Sequence, residues 1–375
     1  MAKWDTYSLL TQKLGNLEFL VRDAGVVLPE NQIKRLIDLT LATPAPPALF
    51  DRLTRITGGA SGDRTILVIT PVGETMWINV AGNLRIVPAA TSLDINVSAN
   101  WITTTYATAA NRAGLSFKIY AIENGGASAP LIKCNLASNA PPANSRLIGG
   151  FHCLCVAVGT ITGHKLTGYV AGDILPQSVW DLKFAPRKNP DGTYRDGFVY
   201  DPKDGIWKGI YLVNTSYLSQ YNTPKLVNVN WMDITTYLGS IGARLLRDRE
   251  FQLGAEGSSE GTSITGSADT PNTGGHVDTA GRRIISNIGC EDMVGLIWQW
   301  LDEQSYQYGA STWSWKNVTG GKGQLYTQDS YGDTKLLAGG DWVSGALCGS
   351  RGRHAGNSRW VAATNVGGRA GVDPE

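Results

Sequence analysis

Charge is scarce in this sequence. Asp, Glu, Lys and Arg make up 17% of its 375 residues, against roughly 25% in typical soluble domains. Long surface helices, which need Lys and Glu on their solvent faces, are therefore not expected to dominate. The charge that is present balances, with 33 Lys and Arg against 32 Asp and Glu. That balance gives no electrostatic basis for binding nucleic acid or an anionic membrane surface. No apolar run approaches the ~20 residues of a membrane-spanning helix, so membrane insertion is not expected. The opening MAKWDTYSLL has no long apolar stretch and no small-residue cleavage site, so no secretory signal is expected. Cysteine is limited to Cys134, Cys153, Cys155, Cys290 and Cys348. An odd number so widely scattered argues against a disulfide framework, and assembly in a reducing cytosol is the simpler reading. Cys153 and Cys155 alternate in FHCLCVAV, which would point both to one face of a strand.

Glycine and tryptophan are plentiful, at 45 and 12 residues. With low charge, they point to short strands, tight turns and buried subunit contacts. The length suggests two or three domains, and the pattern changes character twice. Residues 1–56 read as helical. Leu10, Leu14, Leu17 and Val21 fall at heptad spacing, a seam that one helix can offer another. LPENQIKRLIDLTL follows as a second helix, with Pro29 near its start and Ile33, Leu36, Ile37 and Leu41 on one side. Such a segment is either a helical pair packed on its own domain or an assembly element tying subunits together.

Residues 57–180 carry short β-branched runs such as RTILVITPV, TMWINVA, SLDINVSANWITTTYAT, LSFKIYAIE and FHCLCVAVGTI. Leu93, Ile95 and Val97 alternate with polar residues, as do Leu115, Phe117 and Ile119. Turn signals such as NGGASAP and NAPPANS separate the runs. This predicts an antiparallel β sandwich or barrel. Residues 181–375 differ again, and the fold class overall is α+β. RDGFVYDPKDGIWKGIYLVN predicts a strand pair turning at Asp204-Gly205, and a helical patch lies around ITTYLGSIGARLLRDREFQLGA. The Gly/Ser/Thr stretch from Glu256 to Arg282 is too polar for core and too long for a simple connection. CEDMVGLIWQWLDEQ then predicts a helix. Met293, Leu296, Ile297, Trp300 and Leu301 follow helical spacing, Asn287 or Ser286 supplies a cap, and Glu291 and Asp292 suit the positive end.

Candidate chemistry is thin. His276 and Asp278 in GGHVDTAGR would open a metal site only with a second ligand pair, and a turn-stabilising role fits better. Asp329 and Asp333 offer oxygen ligands without the dense carboxylate loop of a Ca²⁺ site. No metal and no cofactor are expected. GGASGD and GGKG lack the strand and helix context of a nucleotide-binding loop.

The order of the last elements carries a resemblance. NIGCEDMVGLIWQWL is followed by a GGDW turn, then GSR, an irregular stretch and GGRAG. This resembles the C-terminal C-type lectin-like domain of phage major tropism determinants and of related variable proteins of diversity-generating retroelements, moderately over residues 240–375 and weakly upstream. The resemblance implies a helical N-terminal assembly segment (1–56), an antiparallel β middle domain (57–180) and a C-terminal C-type lectin-like domain (181–375). It further implies a homotrimer at phage tail-fibre tips, joined to other virion proteins and displaying a surface to a host surface protein or glycan. Carried onto this chain, the displayed positions are Asp341, Val343, Ser344, Gly345 and Leu347, then His354, Ala355, Gly356 and Asn357, then Val361, Ala363 and Asn365. On chemistry alone Arg353, Arg359 and Trp360 are stronger anchors, since interface hot spots favour Trp, Tyr and Arg. Arg351, Arg369, Trp298, Trp300 and Trp342 are expected in the framework, the arginines binding carbonyls or carboxylates beneath the loops.

The same broad fold occurs in formylglycine-generating enzymes, which resemble oxidases needing two cysteines near the C-terminus. Only Cys348 lies there, so no enzymatic activity is expected. Two readings remain: a receptor-binding tip, or a structural virion protein such as a decoration or head-fibre component.

Overall fold

The computed structural model describes residues 51–306, 313–317, 323–328 and 333–375. The paired helices expected over residues 1–50 lie outside the described residues. Residues 51–56 are described, and they are extended rather than helical. Arg52 bridges to Trp77, and the Asp51 carboxylate accepts from the Asn79 amide and pairs with Arg146. Ile56 is buried against the neighbouring sheets. This piece of chain therefore gains more from covering a sheet than from closing a last helical turn.

The next part runs β1 (Thr57–Ala60), β2 (Asp63–Val68), β3 (Met76–Val80), β4 (Asn83–Val87), β5 (Ser92–Asp94), the single-turn helix α1 (Ala109–Arg112), β6 (Ser116–Ile122), β7 (Leu131–Leu136), β8 (Ser145–His152) and β9 (Trp180–Asp181). They form a β1-β2-β5 sheet, a β3-β4 hairpin and a β7-β6-β8-β9 sheet, all antiparallel. Alternation works as expected in β3, where Met76, Ile78 and Val80 face the core, and in β6, where Phe117 and Ile119 do. It fails after Asp94. Ile95 is buried but Val97 is exposed, and 3-10 turns follow at Ser98–Asn100 and Thr104–Ala107. Buried Arg112 holds that turn region from beneath, donating to Ile95 O, Tyr106 O, Ala107 O and Gly172 O and to Asn96 Oδ1. Cys153 and Cys155 also depart from expectation. The strand ends at His152, and Cys153 and Cys155 enter different core clusters.

The C-terminal part contains β10 (Phe198–Asp201), β11 (Ile206–Gly209), α2 (Trp231–Ser240), β12 (Arg244–Leu245), α3 (Asp248–Gly254), β13 (Trp298–Tyr306), β14 (Trp313–Asn317), β15 (Gln324–Gln328), β16 (Asp333–Gly339), β17 (Gly349–Ser358), β18 (Val366–Gly368) and β19 (Ala370–Val372). One sheet has the order β10-β11-β19-β12, the other β14-β15-β17-β16-β13-β18. The predicted hairpin is present, with Gly205 at φ +78° in its turn. Asn230 caps α2, its Oδ1 accepting from the Asp233 amide at 2.9 Å. The protein is mostly β with few helices, and among the described residues no helix is long and apolar enough to cross a membrane.

The helix expected at Cys290–Gln304 is absent. Residues 290–297 are irregular and Trp298 begins β13. Asp292 and Gly295 hold positive φ, at +54° and +76°, which no α-helix accommodates. Met293, Val294, Leu296 and Ile297 are all fully buried, so this apolar run is enclosed on every side. Its helical spacing was a by-product of density, not an amphipathic stripe. Glu291 pairs with Arg283, and Asp292 with His276, instead of facing a helix end. The polar stretch before it is also more buried than expected. Ser258, Ser259, Ser263, Thr273 and Asp278 are all buried.

Arg369, fully buried, donates to Gly209 O, Ile210 O and Glu291 O and to Gln299 Oε1. It meets the expectation of a guanidinium satisfying carbonyls beneath the loops. The last residues thus supply three strands of two sheets. Ending the chain at Gly349 removes all three and should abolish the cooperative thermal melt read by circular dichroism; a preserved melt would show the stretch to be dispensable.

His152 joins the two parts. Its Nδ1 meets Ser116 Oγ at 2.8 Å and its Nε2 meets Tyr211 Oη at 3.0 Å. Burial pushes its pKa down to about 3. The folded protein therefore refuses a proton that the unfolded chain accepts below about 6.5. His152 leaves stability unchanged above that pH and lowers it as pH falls toward 3. At pH 5 the cost is about 2 kcal/mol. Urea midpoints at pH 7 and pH 5 should consequently lie further apart in the wild type than in His152→Gln. Equal separations in the two proteins would refute this assignment.

Candidate recognition surface

The Gly339-Gly340 turn sets where the segments expected to be displayed begin. Gly339 has φ +95°, and a Cβ there would sit 2.5 Å from Met293 O. Gly340 has φ +86°, with Cys348 Sγ 2.6 Å from where its Cβ would be. Two stretches of chain pass too closely at this point for any side chain. Asp341 follows and is buried. Its carboxylate accepts from Val343 N at 3.2 Å, Ser344 Oγ at 2.5 Å and Asn365 Nδ2 at 2.6 Å. Asp341 is therefore no contact residue. It clamps the 341–347 loop to the segment leading into β18.

Strand β17 lies between β15 and β16, with Lys335 opposite Asn357 and Leu337 opposite His354. Arg353 and Ala355 on it are buried, which also removes them from the expected surface. Arg353 Nε donates to Asp248 Oδ1 at 2.5 Å, its Nη1 to Ser350 O and Gly352 O, and its guanidinium lies over the Phe251 ring. A guanidinium at a sheet-to-α3 contact loses water and needs these partners, so Arg353 serves the framework. His354 is half-buried, with its ring near Trp298 and Tyr326 at 5.7 and 5.3 Å, and burial pushes its pKa down to about 4.

Two expected residues stand well out into solvent: Val343, 69% exposed, and Trp360, 67% exposed. Ser344, Gly345, Leu347, Gly356, Asn357, Arg359, Val361, Ala363 and Asn365 are half-buried. Of these, Val361 and Ala363 rest on the core cluster beneath. Of the expected framework residues, Trp298 and Trp300 are buried, while Trp342 and Arg351 are half-buried.

Neighbours that the sequence did not nominate flank this surface. Trp231 N, at the start of α2, donates to Arg359 O at 3.0 Å, and Asn228 N donates to Ala363 O at 3.0 Å. Lys335 Nζ sits 4.0 Å from the centre of the Trp231 ring. Met232 Sδ lies 3.8 Å from Arg359 Nη1. Trp315 stacks on Tyr326, 4.5 Å between centroids, next to His354. Asn228, Trp231 and Met232 lie far from 341–365 along the chain, and no spacing links them to it. The arrangement presents an exposed indole and small side chains on the loops before and after β17. Among the described residues it shows no nucleophile–base pair.

Asp278 and His276, the residues considered for a metal, have protein partners. Asp278 accepts from Ser259 Oγ, Thr262 Oγ1, Ala280 N and Arg282 N. His276 Nδ1 meets Asp292 Oδ1 at 2.9 Å and its Nε2 meets Thr270 Oγ1 at 3.2 Å. Both therefore stabilise turns. Asp329 and the Asp333 side chain lie outside the described residues.

Residues 72–181 match the family model described as the Mtd second domain. Among solved structures, the Major Tropism Determinant U1 Variant matches with a TM-score of 0.62 and 24% identity, over 83% of this chain and 81% of that one. The M1 Variant gives the same values. The P3c Variant gives 0.61 and 22%, over 86% of each chain. Nothing among the curated proteins matches. Over most of its length this chain therefore has the fold of the major tropism determinants, with the match to their second domain inside it, in agreement with the resemblance carried by its closing motifs.

Proposed function

We propose that this protein is a phage receptor-binding protein. It sits at a tail-fibre tip as a homotrimer and displays the surface of a C-terminal lectin-like domain to a host surface protein or glycan. The observation that carries this reading is the exposure of Trp360 and Val343 on loops whose ends are locked. Large apolar side chains held in water by a rigid frame are characteristic of contact surfaces. Asp341 and Asn365 provide the lock, and the GGDW turn fixes its position. A pre-set surface loses little entropy on binding, and three copies on one particle raise avidity without new contacts. The fold shared with tropism-determinant variants supports a tropism role and a virion location. Within the expected set, the contact residues reduce to Val343, Ser344, Gly345, Leu347, Gly356, Asn357, Arg359 and Trp360, with His354, Val361, Ala363 and Asn365 as their footing. Sequence variation of the kind produced by a diversity-generating retroelement would concentrate on them.

A second reading, a structural virion protein, draws on the small, half-buried side chains at many of these positions. Substitutions spread evenly along the gene in related particles would favour it. Substitutions concentrated at 343–365 would favour recognition.

Adhesion to host cells gives the direct test. The double variant Asn357→Ala/Trp360→Ala should bind at least ~30-fold more weakly, the effect of losing about 2 kcal/mol at a hot spot. Both side chains leave the buried frame alone, so its melting curve should match the wild type. Undiminished adhesion would remove this surface assignment.

A further inference from the structure

Tyr217 holds a backbone conformation that its side chain disfavours. Its φ is +62°, in the left-handed region where residues with a Cβ are strained. Asn214 imposes it. The buried Asn214 Oδ1 accepts from Ser216 N and Leu218 N, both at 2.9 Å, while its Nδ2 donates to Gln220 Oε1 and Thr223 Oγ1 at 3.1 and 3.2 Å. Tyr217 N in turn donates to Asn214 O at 2.9 Å. Glycine would take this conformation without strain, yet the position carries a large aromatic ring.

That ring stacks on Tyr237 of α2, 4.6 Å between centroids and 22° between planes. Both rings are half-buried, resting on the cluster that contains Ile234 and Trp300. Around them Thr215, Ser216 and Gln220 are exposed, and Leu218 is 46% exposed. No charged residue occurs from Gly209 to Pro224. Tyr217 and Asp233 beside it hold the Tyr237 phenol above its usual range, so it remains a neutral hydroxyl near pH 7.

We propose that the Tyr217–Tyr237 pair is a second binding site, for a neutral glycan, separate from the 341–365 loops. An aromatic ring offers an apolar face to the C–H face of a sugar ring, and its hydroxyl offers a donor and an acceptor. Thr215, Ser216 and Gln220 surround it with uncharged hydrogen-bonding groups. The 209–224 stretch carries no charge and the one carboxylate beside the pair, Asp233 on α2, repels anions, so the patch suits an uncharged sugar and disfavours a phosphate or an acidic peptide. The strained backbone is over-determined by Asn214, so the site is pre-set, which is where such strain is tolerated. Because it uses none of the displayed loops, it stands or falls independently of receptor binding there.

Saturation-transfer NMR on the full chain, with glucan, mannan and galactan oligosaccharides as probes, tests the proposal. The wild type should give transfer to at least one of the three. Tyr217→Gly, which removes ring and strain together, should lose it at least tenfold. Thr215→Glu, a change at an exposed position that places a charge in the patch, should do the same. Asn357→Ala/Trp360→Ala should bind the sugar as the wild type does. No transfer to any of the three sugars, retention by either Tyr217→Gly or Thr215→Glu, or loss in the 357/360 variant would overturn it. So would a finding that the patch captures a host protein and no sugar.

Discussion

Arg369 lies fully buried and directs its guanidinium at backbone carbonyls. Gly209 ends β11 and Ile210 follows it, Glu291 opens the irregular apolar run, and the side-chain oxygen of Gln299 on β13 accepts as well. One side chain near the C-terminus thus ties together segments some 160 residues apart. Irregular chain carries carbonyls that no sheet satisfies, and a buried carbonyl left alone is costly. Only arginine brings five donors in a rigid fork to such a place. The fold can bury residues 285–297 without regular structure because this fork, Gln299 Nε2 on Asp292 O and Met293 O, and the Glu291–Arg283 pair accept the task.

The proposed recognition surface depends on that enclosed base. Strands β13 and β16 share a core cluster with the apolar run through Leu301 and Ala338, β17 pairs with β16, and the loops leave the strand ends at fixed points. Asp341 then determines how the loops sit relative to each other, since its two oxygens reach both. Position along the chain therefore says little about role. Asp341, Arg353 and Ala355 alternate with displayed residues yet face inward, while Val343 and Trp360 face outward. Trp231 and Lys335, from α2 and β16, complete the flank.

The two parts share an apolar core cluster, in which Leu154, Leu166 and Leu175 pack with Ile210, Ile285 and Val294, and polar side chains cross it. His152 reaches Tyr211, and Cys155 donates to Glu291 Oε1 at 3.3 Å. Burial enforces neutrality on His152, and polar groups placed there must find each other. Such a junction binds the middle sheets to the C-terminal part with directional contacts, which apolar packing alone does not supply.

Local chemistry made several features legible in the amino-acid sequence itself. Alternation marked β3 and β6, Asp204-Gly205 marked the hairpin, the glycine pairs marked close approaches, and Arg369 read as a carbonyl ligand. Each of these follows from a residue and its immediate neighbours. The order of motifs at the end of the chain was sufficient to indicate the fold. Tertiary structure decided the rest. Residues 290–301 are apolar enough for helical spacing, and only enclosure from all sides, with Asp292 and Gly295 at positive φ, made them irregular chain leading into a strand. Likewise Arg353 became framework because Asp248 and Phe251 wait beneath it. Sequence states which groups must be satisfied; which partners satisfy them depends on contacts between residues a hundred positions apart, and no local pattern records those.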